Sequence, residues 1–213
     1  MTNIVEEIKT AVLEGEDDLA QSLVRQALND GLPPIEVVNR GIVPGIQAAG
    51  ELWQQNKYFH TDMIMSATAF RTAMEVVEPL ISEVEAGGLG KFLIGAVAGD
   101  MHDLGKMMVV AMLRGAGFQV VDLGEDVPRE LFLDKVIELE PNILGLGCYM
   151  TTTMPELEAV IKSLEEQGLR QRVKVMIGGV PTTQEYANQI RADAWGKDAL
   201  DAIIKAKKLM GPE

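Results

Sequence analysis

The chain has 213 residues, 47% hydrophobic, 24% charged and 5% aromatic, enough for one or two domains with real cores and too apolar for disorder. Its formal charge is −13, and residues 1–90 hold 5 Lys/Arg against 14 Asp/Glu, the opposite of the basic clustering that binding to nucleic acid requires. A single cysteine, Cys148, excludes an intramolecular disulfide and a cysteine-based metal cluster; the acidic, amphipathic N-terminus and the lack of any membrane-length apolar run predict a cytoplasmic protein without a membrane partner.

From Ile4 to about Val84 apolar residues recur at helical spacing, as in Ile4, Val5, Ile8 and Val12, then Leu23, Val24, Ala27 and Leu28. Gly15 and Gly31 stand where helices stop, and Pro33-Pro34 suits a loop leading into a new helix. The pattern predicts four or five helices in a small bundle over residues 1–84, the longest covering Thr61–Glu83. Gly87, Gly88 and Gly90 then remove helix propensity, and residues 85–90 read as a linker.

In the predicted second domain, residues 91–213, the rhythm changes. Short apolar runs at Phe92–Val97, Gln119–Leu123, Ile143–Gly147 and Val173–Ile177 alternate with helical periodicity near Lys106–Leu113, Arg129–Leu139 and Pro155–Gln167. This alternation predicts an α/β fold, a doubly wound, Rossmann-like parallel sheet with right-handed crossovers. Ligands in such sheets sit at the carboxyl ends of the strands, which singles out the loops after Val97, Leu123, Gly147 and Ile177.

The first of these loops reads Gly99-Asp100-Met101-His102-Asp103-Leu104-Gly105-Lys106. His102 is one of only two histidines, and Asp100 is near enough to accept a hydrogen bond from one imidazole nitrogen while the other binds a metal. No neighbouring residues complete a tetrahedral zinc site, so a single protein ligand suits a metal whose other donors come from a macrocycle such as a corrin. Taken alone, a lone loop histidine is more often structural or merely exposed, and D-x-H-x-x-G is a weak pattern. Further along, Gly147-Cys148-Tyr149-Met150-Thr151-Thr152-Thr153-Met154 puts three threonines at a strand end, and Ile177-Gly178-Gly179-Val180-Pro181-Thr182 closes another strand with paired glycines that permit close backbone approach.

In this order the motifs resemble the corrinoid proteins of methylamine, methanol and related methyltransferase systems, and the cobalamin module of methionine synthase, over nearly the whole chain. The resemblance implies cobalamin or a related corrinoid as cofactor, with His102 as the lower axial cobalt ligand in place of the cofactor's own base. It implies that Asp100 orients His102 and that Thr153 completes a His-Asp-hydroxyl relay. The nucleotide tail would run into the sheet domain past Gly105, whose missing side chain makes room, and past Gly147, Thr151 and the Gly178-Gly179 pair, with Met101 and Asp103 as further cofactor-binding residues.

The segment Gly50–His60 resembles the part of the helical cap that covers the upper corrin face, with Trp53 at a face-covering position. His60 stands where a second apolar residue is usual; it reads as an upper-face hydrogen-bond donor, a second cobalt ligand, or a partly exposed histidine at a helix start. Gly147 stands where the family has serine. Arg191–Gly196 resembles the closing strand and loop with Arg191 in place of a glycine, and Trp195 and Lys197 would lie along the tail.

The implied function is that of a non-catalytic corrinoid subunit. It accepts a methyl group on Co(I) from a substrate-specific methyltransferase and delivers it to a second methyltransferase serving tetrahydrofolate or coenzyme M, with a reductive activation protein as a further partner. The glycine linker would be the hinge on which the cap moves aside. The alternative is a cobalamin-binding regulatory module, which needs an added output domain. The small subunit of a cobalamin mutase is a further rival, but it lacks the helical cap.

Overall fold

The first helix, α1 (Thr2–Glu14), buries Val5, Ile8, Ala11 and Val12 and ends at Gly15, whose φ of 75° is left-handed. A β-carbon there would stand 2.4 Å from that of Met65, so conformation and space both demand glycine. Helix α2 (Asp17–Asn29) opens on two acidic residues, favourable at a helix N-terminus, and buries Ala20, Val24 and Ala27. The computed structural model describes residues 2–84 and 88–211, which fall into two compact units divided between Val84 and Glu85.

The middle of the helical unit is one continuous helical run with a local widening. Helix α3 (Pro34–Val37) passes through a π turn at Val38–Ile42 into α4 (Val43–Gln54). Pro44 has no N–H to give Arg40 and its ring would press on that carbonyl, so the backbone loosens ahead of it and the Val43 N–H reaches Val38 O. The long helix α5 (His60–Val84) buries Ala69, Phe70, Ala73, Met74 and Val77. The hydroxyls of Tyr58 and Ser66 both donate to Leu13 O, at 3.1 and 2.6 Å, pinning the start of α5 to the end of α1.

Of the predicted linker, residues 85–87 lie outside the described residues. Leu89 and Gly90 are tied to the sheet unit, since Leu89 N–H donates to Gly117 O and Gly90 O accepts from Gln119 N–H.

The strands β1 (Lys91–Ala96), β2 (Gln119–Asp122), β3 (Ile143–Gly147), β4 (Lys174–Gly178) and β5 (Ala194–Gly196) form a wholly parallel sheet in the order β2-β1-β3-β4-β5. On one face Leu93, Leu144, Leu146, Val175 and Ile177 pack against α7 (Arg129–Leu139) and α8 (Met154–Glu166). On the other, Phe92, Ile94, Ile143 and Met176 meet α6 (Leu104–Gly115) and α10 (Ala199–Leu209). Burial on both faces explains why the strands read as unbroken apolar runs instead of alternating ones. A short helix, α9 (Gln184–Gln189), leads toward β5. Arg191 adopts the left-handed φ of 61° just before β5, the conformation a glycine would take there without strain.

Helix α10 is capped by Asp198, whose Oδ1 accepts from Asp201 N–H, and Asp201 accepts in turn from Lys197 N–H at 2.9 Å and Lys205 Nζ at 2.8 Å. Burial opposes ionisation of Asp201, but the Lys197 amide and the Lys205 ammonium outweigh it and hold its carboxyl below the ordinary value of 3.8. A folded pKa below the unfolded one gives stabilisation that is complete above the unfolded value and is lost as pH falls through the folded one. Thermal midpoints are therefore expected to drop below about pH 4, and Asp201→Asn should make that drop smaller in a pH series of melting curves. Among the described residues no helix is long and apolar enough to cross a membrane.

Candidate functional site

The parallel register brings the ends of the central strands level, Ala96 beside Gly147 and Gly147 beside Gly178. The loop after β1 turns at Gly99, φ 79°, whose N–H donates to Asp126 Oδ1 at 2.7 Å, while Asp126 N–H donates back to Asp100 O. This clasp places the Asp100 side chain wholly inside the protein.

Asp100 is the hub of the site. Its Oδ1 lies 2.8 Å from His102 Nδ1 and accepts the His102 N–H at 3.2 Å. Its Oδ2 accepts from Tyr149 N–H at 2.7 Å, Met150 N–H at 3.2 Å and the Thr153 hydroxyl at 2.8 Å. One carboxylate thus ties the loop after β1 to the loop after β3. Burial alone would raise its pKa, but the Tyr149 amide, the His102 ring, the Thr153 hydroxyl and the His102 amide outweigh that and hold it below the usual carboxylate range. An ionised Asp100 keeps a proton on Nδ1 of the neutral imidazole and leaves the Nε2 lone pair for another partner, on a side chain that is 57% exposed.

The structure therefore brings Asp100, His102 and Thr153 together. Thr153 is buried and precedes α8; Met101 projects from the loop, 66% exposed, and Asp103 precedes α6. Gly105, in the first turn of α6, and Gly147, the last residue of β3, flank one object, the ring of Tyr149. A β-carbon at Gly105 would meet Tyr149 Cε1 at 2.6 Å, and one at Gly147 would meet Cε2 at 3.3 Å. Burial, then the charges of Asp100, Asp122 and Asp103, push the Tyr149 phenol well above its ordinary pKa.

Thr151 is exposed, on the solvent side of its loop. Gly178 ends β4, and Gly179 follows at φ 115° with its missing β-carbon 1.8 Å from Cys148 O, so the fold itself requires this glycine. Trp195 Nε1 donates to Thr182 Oγ1 at 2.9 Å, and Lys205 Nζ lies 5.2 Å from its ring centroid; Lys197 is exposed. In the helical unit Trp53 is 45% exposed and borders an open cleft with Asn56, Tyr58 and Phe59. The His60 side chain lies outside the described residues.

Sequence reasoning overlooked Tyr149 and Asp126, and also the buried Lys106, which donates to Asp122 Oδ2. The Gly-Glu-Asp turn at 124–126 hinted at Asp126, but nothing in the spacing says where the Tyr149 ring turns. Among the described residues no group of three or more His, Cys, Asp or Glu could hold a metal ion. A lone, oriented imidazole at a glycine-walled sheet edge fits a metal that brings its own equatorial donors.

Comparison with known proteins agrees. Residues 90–204 match one B12 binding domain family and residues 4–78 match a second, also a B12 binding domain. Trimethylamine corrinoid protein 1 of Methanosarcina acetivorans is 37% identical over 209 residues, 97% of each chain. The solved monomethylamine corrinoid protein of Methanosarcina barkeri superposes with a TM-score of 0.76 at 30% identity, covering 97% of this chain and 98% of that one. A chain of the methanol:cobalamin methyltransferase complex from Methanosarcina barkeri gives a TM-score of 0.61 at 29% identity, covering 99% of this chain and 81% of that one. With a helical unit, a parallel sheet and an oriented histidine at its carboxyl edge, all spanned by these matches, the chain belongs to the B12-binding corrinoid proteins.

Proposed function

We propose that the chain is a methyl-carrying corrinoid protein in which His102 would hold the cobalt through Nε2. The carrying observation is the Asp100 carboxylate, wholly buried and 2.8 Å from His102 Nδ1, which fixes the tautomer that a metal-binding imidazole needs. Thr153 steadies the carboxylate from the other side and forms the third member of the relay. The corrinoid, when bound, would supply the cobalt-centred methyl-transfer chemistry.

The protein's own part is to hold, orient and shield. Met101, Asp103, Gly105, Gly147, Thr151, Gly178 and Gly179 would border the nucleotide tail, a reading supported by their common place at the carboxyl edge of the sheet. Trp53 and His60 are the proposed corrin contacts of the helical unit, and the partial exposure of Trp53 supports its part. The chain would have two exchange partners, and the names of the relatives, trimethylamine and monomethylamine corrinoid proteins and a methanol:cobalamin methyltransferase complex, support a methyltransferase among them. One is a substrate-specific methyltransferase; the other passes the methyl group to tetrahydrofolate or coenzyme M, with a reductive activation protein in support.

The test is an ultraviolet-visible spectrum of the chain reconstituted with hydroxocobalamin and freed of unbound cofactor, beside that of His102→Ala. Stoichiometric corrinoid with a band position that changes in the variant is expected. A folded parent chain that retains none would end the proposal.

A further inference from the structure

Tyr149 occupies the space that Gly105 and Gly147 leave open. Its ring edge is so close to both that a methyl group on either glycine would be within 3.3 Å of it. On the proposed reading these glycines wall the groove for the nucleotide tail. A ring and a tail cannot fill one space.

Three further observations bear on how the conflict resolves. The Tyr149 backbone cannot yield, because its N–H is held by Asp100 Oδ2 at 2.7 Å. The side chain has no comparable tether: the Tyr58 hydroxyl donates to Leu13 O and that of Tyr186 to Met154 O, whereas the Tyr149 hydroxyl has no hydrogen-bond partner among the described residues. The ring is also near the ligand histidine, with centroids 6.0 Å apart and planes tilted by 33°, so a moving ring passes the mouth of the site.

We propose that Tyr149 is a side-chain gate on the tail groove: the ring lies against Gly105 and Gly147 when the groove is closed and swings out about its own side-chain torsions to admit the corrinoid tail. The inference rests on the corrinoid reading and adds to it a residue that sets how fast, and how tightly, the cofactor is taken up. Aromatic side chains change rotamer without disturbing the backbone, and here the pinned amide confines the motion to the side chain. A closed state favoured about tenfold lowers apparent affinity by about the same factor, and removing the ring restores it.

The experiment has two readouts on the full chain. Incorporation of 3-fluorotyrosine gives three fluorine resonances, for Tyr58, Tyr149 and Tyr186, and loss of one in Tyr149→Phe assigns it. Addition of hydroxocobalamin is expected to shift the Tyr149 resonance and raise its sensitivity to replacing H2O with D2O, with Tyr186 unmoved. Stopped-flow absorbance is expected to show Tyr149→Ala taking up hydroxocobalamin about tenfold faster than the parent. Bound corrinoid with an unmoved Tyr149 resonance, or equal uptake rates, would overturn the gate and leave the carrier reading intact. Failure of the folded parent and of Tyr149→Ala alike to retain corrinoid would overturn both.

Discussion

Asp100→Asn is expected to fold and to lose the His102-dependent corrinoid spectrum. The Oδ2 position accepts from two backbone N–H groups, Tyr149 and Met150, which cannot turn round. An asparagine must therefore put its carbonyl oxygen there and its NH2 where Oδ1 now meets His102. The ring nitrogen Nδ1 then has to accept, the imidazole proton moves to Nε2, and the lone pair needed for a metal is gone. The stability cost is about 1–3 kcal/mol, from weaker hydrogen bonds and one donor facing the His102 N–H. Asp100→Ala orphans every one of these donors and should cost more than about 3 kcal/mol. Urea denaturation gives the stability half and the hydroxocobalamin spectrum the ligation half. A full His102-dependent spectrum from Asp100→Asn would show that the carboxylate does not set the tautomer.

Gly179→Ala is expected to destabilise the chain by more than about 4 kcal/mol, since it joins a backbone clash to a φ that L-residues avoid. The added carbon would lie 1.8 Å from Cys148 O and 2.6 Å from its carbonyl carbon, at φ 115°. Neither partner can retreat. Cys148 N–H donates to Gly178 O at 2.9 Å, and Gly179 O accepts from Thr182 through both its N–H and its hydroxyl, at 3.0 and 2.6 Å. Relief requires the ends of β3 and β4 to part. Loss of soluble protein, or a large fall in the urea midpoint without any cofactor present, is the expected result. Val180→Ser, next door and 87% exposed, is the control and should shift stability by less than about 0.5 kcal/mol. Equal stability of Gly179→Ala and the parent would refute the packing account and return the glycine to a purely cofactor-facing role.

That contrast shows how much was legible beforehand. The strands could be read because a sheet buried on both faces demands continuous apolar runs, and four of them lie within a residue or two of their expected ends. The Asp100–His102 contact followed from two-residue spacing in one loop, a local matter. What stayed hidden is what depends on loops meeting across strands. The Gly178-Gly179 pair looked like room for a ligand, yet Gly179 is required by a carbonyl 31 residues earlier in the chain. Gly105 looked like room for a tail and Gly147 like a missing serine, yet a tyrosine 44 residues after the first and two after the second lies between them. The π turn before Pro44 was missed for another reason: the helical period continues through it, and only the missing N–H betrays it.

The sheet's outer strands have a consequence of their own. β2 spans four residues and β5 three, and Trp195 O on β5 is already taken by Lys205 Nζ. A strand that short offers little backbone template to a foreign chain, so the sheet resists growing by strand addition. Any protein that docks on this one must do so through side chains and loops, contacts that can be made and released in succession without unzipping a ladder.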